Sequence, residues 1–385
     1  MSQCAYTSIA AWSSITRENW DSWQWQLRNA VRTLEELNSI LACFTTLQVP
    51  TSSVVERIGR ERFSFKVTPH MVLALKQALE GSITGAWNAF RRSFIPSELE
   101  ADRLVDVTDG TDCIGEELPE ANPVPAITNF YGNRVLFRVT TMCPAYCRYC
   151  FRRRMIGDGP GAWDEASITQ GLAYVAGNSE VHEVIISGGD PLVLSDEHLA
   201  FVIGALNEIP HIRRIRIDTK ALTMMPQRLT PRLIASLRGA KPVYMIVHFT
   251  HMYELTDETR AACAGLVDAG VPIRAHTPLL RGINDDEESL ASLMEILVDC
   301  RVQPYYLIQF IPTKWTEHFR VSIRRGLELV RHLQKHCGGL ATPTYIVYLP
   351  KAGGKVPVTP QYIKEHRSDG YVFESLDGRR ILYPE

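Results

Sequence analysis

Three cysteines within eight residues, Cys143, Cys147 and Cys150, form the densest group of reactive side chains in the chain. Spaced Cys-x3-Cys-x2-Cys on a loop, three thiolates can hold one metal centre. A structural zinc site asks for four ligands, and no nearby Cys or His pair completes one. On a four-iron cluster the same thiolates would leave one iron open to a further ligand, unlike the four-cysteine ferredoxin arrangement. Spacing alone leaves two other readings, three free thiols or a zinc site completed from afar. Further along, Ser187-Gly188-Gly189-Asp190-Pro191 carries paired glycines, which permit positive φ and a close backbone approach to the polar end of a small ligand. A tight turn would use the same residues. Lys355 ends a glycine-bearing loop, Lys351-Ala352-Gly353-Gly354-Lys355, and without further context is a solvated loop lysine.

Alternating short strands and helices must position these groups. Strands are expected at Arg134–Thr140, Glu183–Ser187, Ile212–Asp218, Val243–Phe249, Val271–His276 and Pro304–Gln309. Helical patterns lie between them, among them Asp196–Glu208, Thr256–Ala269 and Asp286–Val298. A strand-helix repeat of about 30 residues calls for a parallel sheet, because parallel neighbours need a crossover. In such architectures function collects beyond the carboxyl ends of the strands, where the cysteines and the Gly-Gly pair fall. Periodicity leaves an open sheet and an incomplete barrel equally open. An apolar run, Thr344–Leu349, leads into the Lys355 loop, and the last ~30 residues read as a mixed tail.

Upstream, Trp20, Trp23, Leu27, Val31 and Leu34 recur at three- and four-residue steps as one amphipathic helical stripe, with Thr16 and Asn19 as N-caps. A second helical stretch runs from Thr68 to Phe94. From Pro96 to Pro125 the chain turns acidic and proline-bearing, as a linker does.

Composition narrows the class. The 385 residues carry 41 basic and 43 acidic side chains, a net charge of −2, and 45% hydrophobic residues. That balance gives no electrostatic case for nucleic acid or a membrane surface. The first charged residue is Arg17, so no basic secretory leader is expected, and the long uncharged stretch that includes Asn38 to Val55 is too polar to span a bilayer. Nine cysteines, six of them scattered, suit a reducing, cytoplasmic compartment rather than a disulfide scaffold.

Taken together, Cys-x3-Cys-x2-Cys after one strand and Gly-Gly-Asp-Pro after the next resemble the radical S-adenosylmethionine enzymes. More closely, the chain resembles the family of lysine 2,3-aminomutase. Shared segments run from Trp20 to about Tyr383 and include Trp20-x2-Trp23-x-Trp25-Gln26, Pro123-Val124-Pro125, Cys147-Arg148-Tyr149-Cys150-x-Arg152-Arg153-Arg154, Pro226-Gln227-Arg228, His248-Phe249-x-His251, Leu279-Leu280-Arg281-Gly282, Glu317-His318-Phe319-Arg320 and Gly353-Gly354-Lys355.

The resemblance implies an α/β fold: a partial (βα)6 parallel barrel at 123–340, an amino-terminal helical region and linker at 1–122, and a carboxy-terminal segment at 341–385 carrying a pyridoxal-phosphate lysine. It implies that Cys143, Cys147 and Cys150 hold a [4Fe–4S] cluster whose open iron chelates S-adenosylmethionine. Gly188, Gly189, Asp190, His248 and His276 would bind that cofactor. Lys355 would hold pyridoxal phosphate covalently, with Arg134 and Tyr131 beside it. Arg152 would pair with the substrate α-carboxylate, since a guanidinium fork suits an oxyanion. Arg153 and Arg154 read equally well as surface charge.

Departures from the lysine enzyme bear on the substrate. The two positions that supply aspartates to the lysine ammonium are Ile311 and Tyr348 here, and a buried cation without a carboxylate partner costs several kcal/mol. The expected reaction is therefore a 2,3-aminomutation of a neutral, apolar or aromatic L-α-amino acid, initiated by a 5′-deoxyadenosyl radical. Alternatives are an acidic substrate met by Lys314 or Lys351, a different radical outcome such as epimerisation or elimination, modification of a protein lysine, and a cluster-bearing protein without turnover. Phe130 stands where the family has a second phosphate arginine, which Arg138 could replace. The family's structural zinc cysteines are absent, so no zinc is expected. A flavodoxin- or ferredoxin-type reductant and a homo-oligomer, dimer or tetramer, complete the expectation.

Overall fold

A computed structural model describes residues 5–61, 63–100, 112–157 and 164–385. Cys4 and the middle of the expected linker lie outside them. Among the described residues a nine-stranded sheet runs in strict sequence order. Its strands are β1 (Ile127–Thr128), β2 (Arg134–Thr140), β3 (Glu183–Gly188), β4 (Arg214–Thr219), β5 (Val243–His248), β6 (Ile273–Leu279), β7 (Gln303–Gln309), β8 (Thr344–Leu349) and β9 (Gly354–Pro357). Strands β2 to β8 are parallel, and an antiparallel partner closes each edge. The six expected strands are all present, and Thr344–Leu349 adds a seventh to the parallel set. The last strand comes back to the first: Lys355 N–H donates to the Tyr131 hydroxyl at 2.8 Å, just before β2. The sheet is thus curled into an incomplete barrel, and β8 and β9 make residues 344–357 continuous with the barrel sheet.

Alternation along each strand separates two environments. On β2, Val135, Phe137 and Val139 are buried toward the helical layer, while Arg134, Leu136 and Arg138 are partly exposed. Helix Glu165–Gly177 approaches so closely that a Cβ on Gly171 would lie 2.6 Å from the Phe137 ring. The crossover helices begin where the sequence supplies caps: Ser195, Thr256, Asp286 and Ser322 each accept a first-turn backbone N–H.

The amino-terminal stripe is not one helix. Arg17–Trp20 and Trp23–Arg28 are separate short helices, Val31 pairs with Val67 in a β-bridge, and Leu34 starts a third helix. Thr16 caps the first as expected, Asn19 lies inside it, and Ser22 caps the second. Stacking of Tyr6 on Trp20 at 4.3 Å rewards this folding-back over a continuous rod. The stretch 68–94 likewise splits into Pro69–Glu80 and Ala86–Phe94, because Gly85 turns through φ +75°. These helices share a core with Met224, Tyr253, Leu280, Phe310 and Phe319, from loops that follow β4 to β7. The amino-terminal region therefore roofs the carboxyl ends of the strands. The tail forms a separate antiparallel sheet of β10 (Ile363–Arg367), β11 (Gly370–Glu374) and β12 (Arg380–Pro384).

The expected linker is structural at both of its described ends. Glu100 is fully buried and accepts from Arg148 at 2.9 and 2.6 Å and from Arg153 at 2.9 Å. Burial alone would raise its carboxyl, but the two guanidinium groups outweigh that and hold it below the ordinary range. Glu100→Gln should cost about 3–5 kcal/mol, because two buried cations lose their countercharge. A urea midpoint unchanged from the parent would contradict this. The sign of the pH dependence follows: the contribution is complete above the unfolded carboxylate pKa, about 4.3, and fades as pH falls through the lower folded value.

Candidate active site

The cysteine loop leaves the end of β2 and is docked onto β3. Gly189 N–H donates to Thr140 O and Asp190 N–H to Met142 O, both at 2.7 Å. A Cβ on Gly188, at φ +131°, would sit 2.3 Å from Thr140 O, and one on Gly189 would sit 2.1 Å from Met142 O. Both glycines are thus demanded by this approach. Asp190, expected at a cofactor, lines the same cavity as the cysteines, and its carboxylate accepts from Leu192 N–H (3.0 Å), Thr219 Oγ1 (2.7 Å) and Lys220 N–H (2.7 Å). It fastens the end of β3 to the end of β4.

Cys143, Cys147 and Cys150 line a cavity of about 170 Å³ at the strand ends. Burial raises all three thiols, Cys147 to about 12, so thiolates here need a strong local positive charge. Among the described residues no three His, Cys, Asp or Glu side chains converge on one ion. Three thiols in this spacing suit a polynuclear cluster that leaves one iron open. The buried Tyr149 hydroxyl lies beside Cys147 and hydrogen-bonds its sulfur. Lys220 pairs with Glu254 at 2.8 Å.

His248 and His276 face each other across β5 and β6, ring centres 5.6 Å apart. Burial lowers both, His248 to about 4, so both are neutral at pH 7. His276 Nε2 is buried without a partner, an unmet polar atom at the cavity. The lysine of the glycine loop is held inside rather than in solvent. Its Nζ lies 5.2 Å from the Tyr306 ring centre and 5.1 Å from that of Tyr348. Burial, then the nearby Arg216, lowers its pKa, which favours the free amine that condenses with an aldehyde. Gly354 (φ +75°) lets β9 pass Tyr131, where a Cβ would lie 2.9 Å from the ring. Arg134 stacks 3.6 Å over that ring. Three buried thiols, an unmet imidazole nitrogen and an inward amine of lowered basicity fit an iron–sulfur cluster, a polar nucleoside cofactor and an aldehyde cofactor.

Ile311 and Tyr348, which are 37 residues apart in the chain, both line this cavity with Arg152. Lys314 and Lys351 are exposed and line no part of it. Arg138 does not replace a phosphate arginine: its guanidinium donates to Thr128 (3.1 Å), Asn122 (2.9 Å) and Pro125 O (2.6 Å). Arg153 and Arg154 are not surface charges either, since Arg153 pairs with Glu100 and Arg154 with Asp112 and Glu117. Sequence reasoning passed over Glu116, which is bonded to Arg152, and Asp218, which lies 3.4 Å from Arg216 at the cavity. An Asp218 on the face opposite Ile217, by strand alternation, was the available signal. Glu116 offered none.

Comparison with known proteins adds a second line. Residues 137–294 match the radical SAM superfamily, and residues 330–385 match the family described as Lysine-2,3-aminomutase. L-lysine 2,3-aminomutase of Acetoanaerobium sticklandii is 34% identical over 375 residues, 97% of this chain and 86% of that protein. L-lysine 2,3-aminomutase of Fusobacterium nucleatum is 35% identical over 372 residues, 97% and 84% of the two chains. Glutamate 2,3-aminomutase of Clostridioides difficile is 34% identical over 366 residues, 95% and 83%. The likeness to relatives named for lysine and for glutamate is equal at this level.

Proposed function

Because this chain belongs to the lysine 2,3-aminomutase family of radical S-adenosylmethionine enzymes, we propose that it converts a neutral, apolar or aromatic L-α-amino acid into the β-amino acid. Membership makes it an isomerase that works with a [4Fe–4S] cluster, S-adenosylmethionine and pyridoxal phosphate. It acts on a small molecule and requires a reductant.

One observation carries the substrate class. Ile311 and Tyr348 line the cavity and carry no charge; beside Arg152, which is left for the α-carboxylate, the lining cation Lys220 pairs with Glu254, and the lining carboxylates are engaged, Asp218 by Arg216 and Asp190 by Thr219 and two backbone N–H groups. Neither Ile311 nor Tyr348 offers a carboxylate to a substrate ammonium or a cation to a substrate carboxylate. Either substrate charge would be buried uncompensated at a cost of several kcal/mol. An apolar side chain loses nothing there. The Tyr348 hydroxyl, its pKa raised by burial, stays protonated and can donate one hydrogen bond.

When bound, the cluster with S-adenosylmethionine supplies a radical that abstracts hydrogen, and pyridoxal phosphate supplies a π bond through which nitrogen can migrate. The chain does the placing. Cys143, Cys147 and Cys150 hold the cluster. The Gly188–Gly189 backbone, His248 and His276 receive S-adenosylmethionine, with Asp190 holding β3 and β4 in register beside it. Lys355, Arg134 and Tyr131 seat pyridoxal phosphate, and Arg152 grips the α-carboxylate. The amino-terminal roof keeps water from the radical. We further infer a flavodoxin- or ferredoxin-type reductant, a homo-oligomer, and a cytoplasmic setting in which the described cysteines are free, as they are here. No described helix is long and apolar enough to cross a membrane.

The pocket assignment has a direct test. The Ile311→Asp/Tyr348→Asp double variant should bind lysine at least about tenfold more tightly than the parent, the worth of one charge-assisted hydrogen bond. Equilibrium dialysis with labelled lysine reads it. No gain would remove Ile311 and Tyr348 from the substrate pocket.

A further inference from the structure

We propose that Glu116 is a positioning residue: it fixes the orientation of Arg152 toward the substrate α-carboxylate, and the strap that carries it ties this grip to the hairpin bearing Lys355. The inference rests on the reading of Arg152 as the carboxylate partner.

Arg152 is held on one edge. Its Nε lies 3.1 and 2.9 Å from the two Glu116 oxygens and its Nη2 lies 2.5 Å from Oε1, a bidentate pair. Nη1 reaches Ser187 Oγ at 3.1 Å, on the strand that leads into the Gly-Gly pair. Glu116 is 2% exposed on its side chain and Arg152 is 14% exposed. A guanidinium carries five N–H donors in a rigid plane. With the Nε–Nη2 edge occupied, the Nη1–Nη2 edge is the fork left to meet a ligand. Without Glu116 the plane keeps its Ser187 and Gly188 hydrogen bonds and its contact with the Phe151 ring but loses its charged partner, and more of a long, rotamer-rich side chain must be ordered by the substrate itself.

Residues 112–118 touch both halves of the site. Asp112 and Glu117 pair with Arg154 at 3.0 and 2.8 Å, two residues past Arg152. Ile114 O accepts the Ala352 N–H at 2.8 Å, at the tip of the hairpin between β8 and β9. Gly115, at φ +81°, permits the approach, since a Cβ there would lie 2.7 Å from Ala352 N. One short acidic segment thus spans from the α-carboxylate partner to the cofactor lysine. In a reaction that moves nitrogen between adjacent carbons, those two anchors set where the α- and β-carbons lie.

The test uses reconstituted holoenzyme, parent and variants, dialysed against an equimolar mixture of the twenty L-α-amino acids, with retained amino acid quantified by mass spectrometry. Glu116→Ala should weaken retention and raise KM by about 10- to 100-fold, as a misplacement of about 1 Å does. Iron and pyridoxal phosphate contents should match the parent, and Glu116→Asp should recover part of the loss. A purely structural role would lower the active fraction, and so kcat, without moving KM. Parent-like retention by Glu116→Ala, with Arg152→Ala defective, overturns the inference alone. Parent-like retention by Arg152→Ala overturns the reading of Arg152 beneath it.

Discussion

A Lys355→Ala protein should keep its iron and its cleavage of S-adenosylmethionine, yet lose formation of the β-isomer by about a thousandfold or more, as removal of a covalent catalytic group does. The cysteines and Lys355 belong to two separate parts of the site. The cysteines stand on the loop after β2, and Lys355 stands on β9 at the far edge of the sheet, between the Tyr306 and Tyr348 rings. On the proposed assignment its amine acts covalently, so arginine or any other retained charge would not rescue it. With the amine gone, hydrogen abstraction has nowhere productive to lead, and 5′-deoxyadenosine release becomes uncoupled from product. Both are read in one assay by mass spectrometry. Isomer formed at the parental rate, or iron lost along with activity, would contradict this division.

Cys150→Ala should act on the other half and abolish both activities. Two thiols cannot replace three on a cluster that already presents one open iron, so iron content and S-adenosylmethionine cleavage should fall to background. Cys263→Ala is the control. That thiol is fully buried, and burial raises it to about 12, but it packs in the helical layer away from the cavity. It should leave iron and cleavage unchanged, apart from a stability loss of about 1 kcal/mol. Retention of iron by Cys150→Ala, or its loss in Cys263→Ala, would remove the three-cysteine loop from its assigned role.

What could be read before any coordinates was local. Cys143, Cys147, Cys150 and the Gly188–Gly189 pair announce themselves because their chemistry depends on spacing along the chain. The strands were legible because a buried parallel strand is a short apolar run bounded by turns, and helix Asp196–Glu208 was legible to the residue because Ser195 caps it. The pairings that hold the site are different in kind. Glu100 reaches Arg148 across 48 residues and Glu116 reaches Arg152 across 36, and in a proline-bearing acidic stretch each looks like any solvated carboxylate. Arg138 sits on the same strand face as Arg134, which alternation predicts, yet its guanidinium turns to Asn122 and Pro125, which alternation does not reveal. The tryptophan stripe misled for a related reason: residues three and four apart can share a core by folding back as well as by winding on. The tail strands β10 and β12 are exposed throughout, so they lack the apolar alternation by which strands are recognised.

The central claim, a radical aminomutation of a neutral amino acid, is tested most directly by a substrate panel. Anaerobically reconstituted protein with pyridoxal phosphate, S-adenosylmethionine and a strong reductant would be offered each standard α-amino acid, with chiral derivatisation and mass spectrometry to find a new β-isomer. The predicted result is a β-isomer from a neutral, apolar or aromatic amino acid, with lysine and glutamate inert. Turnover of lysine or glutamate in place of the neutral amino acids would contradict it.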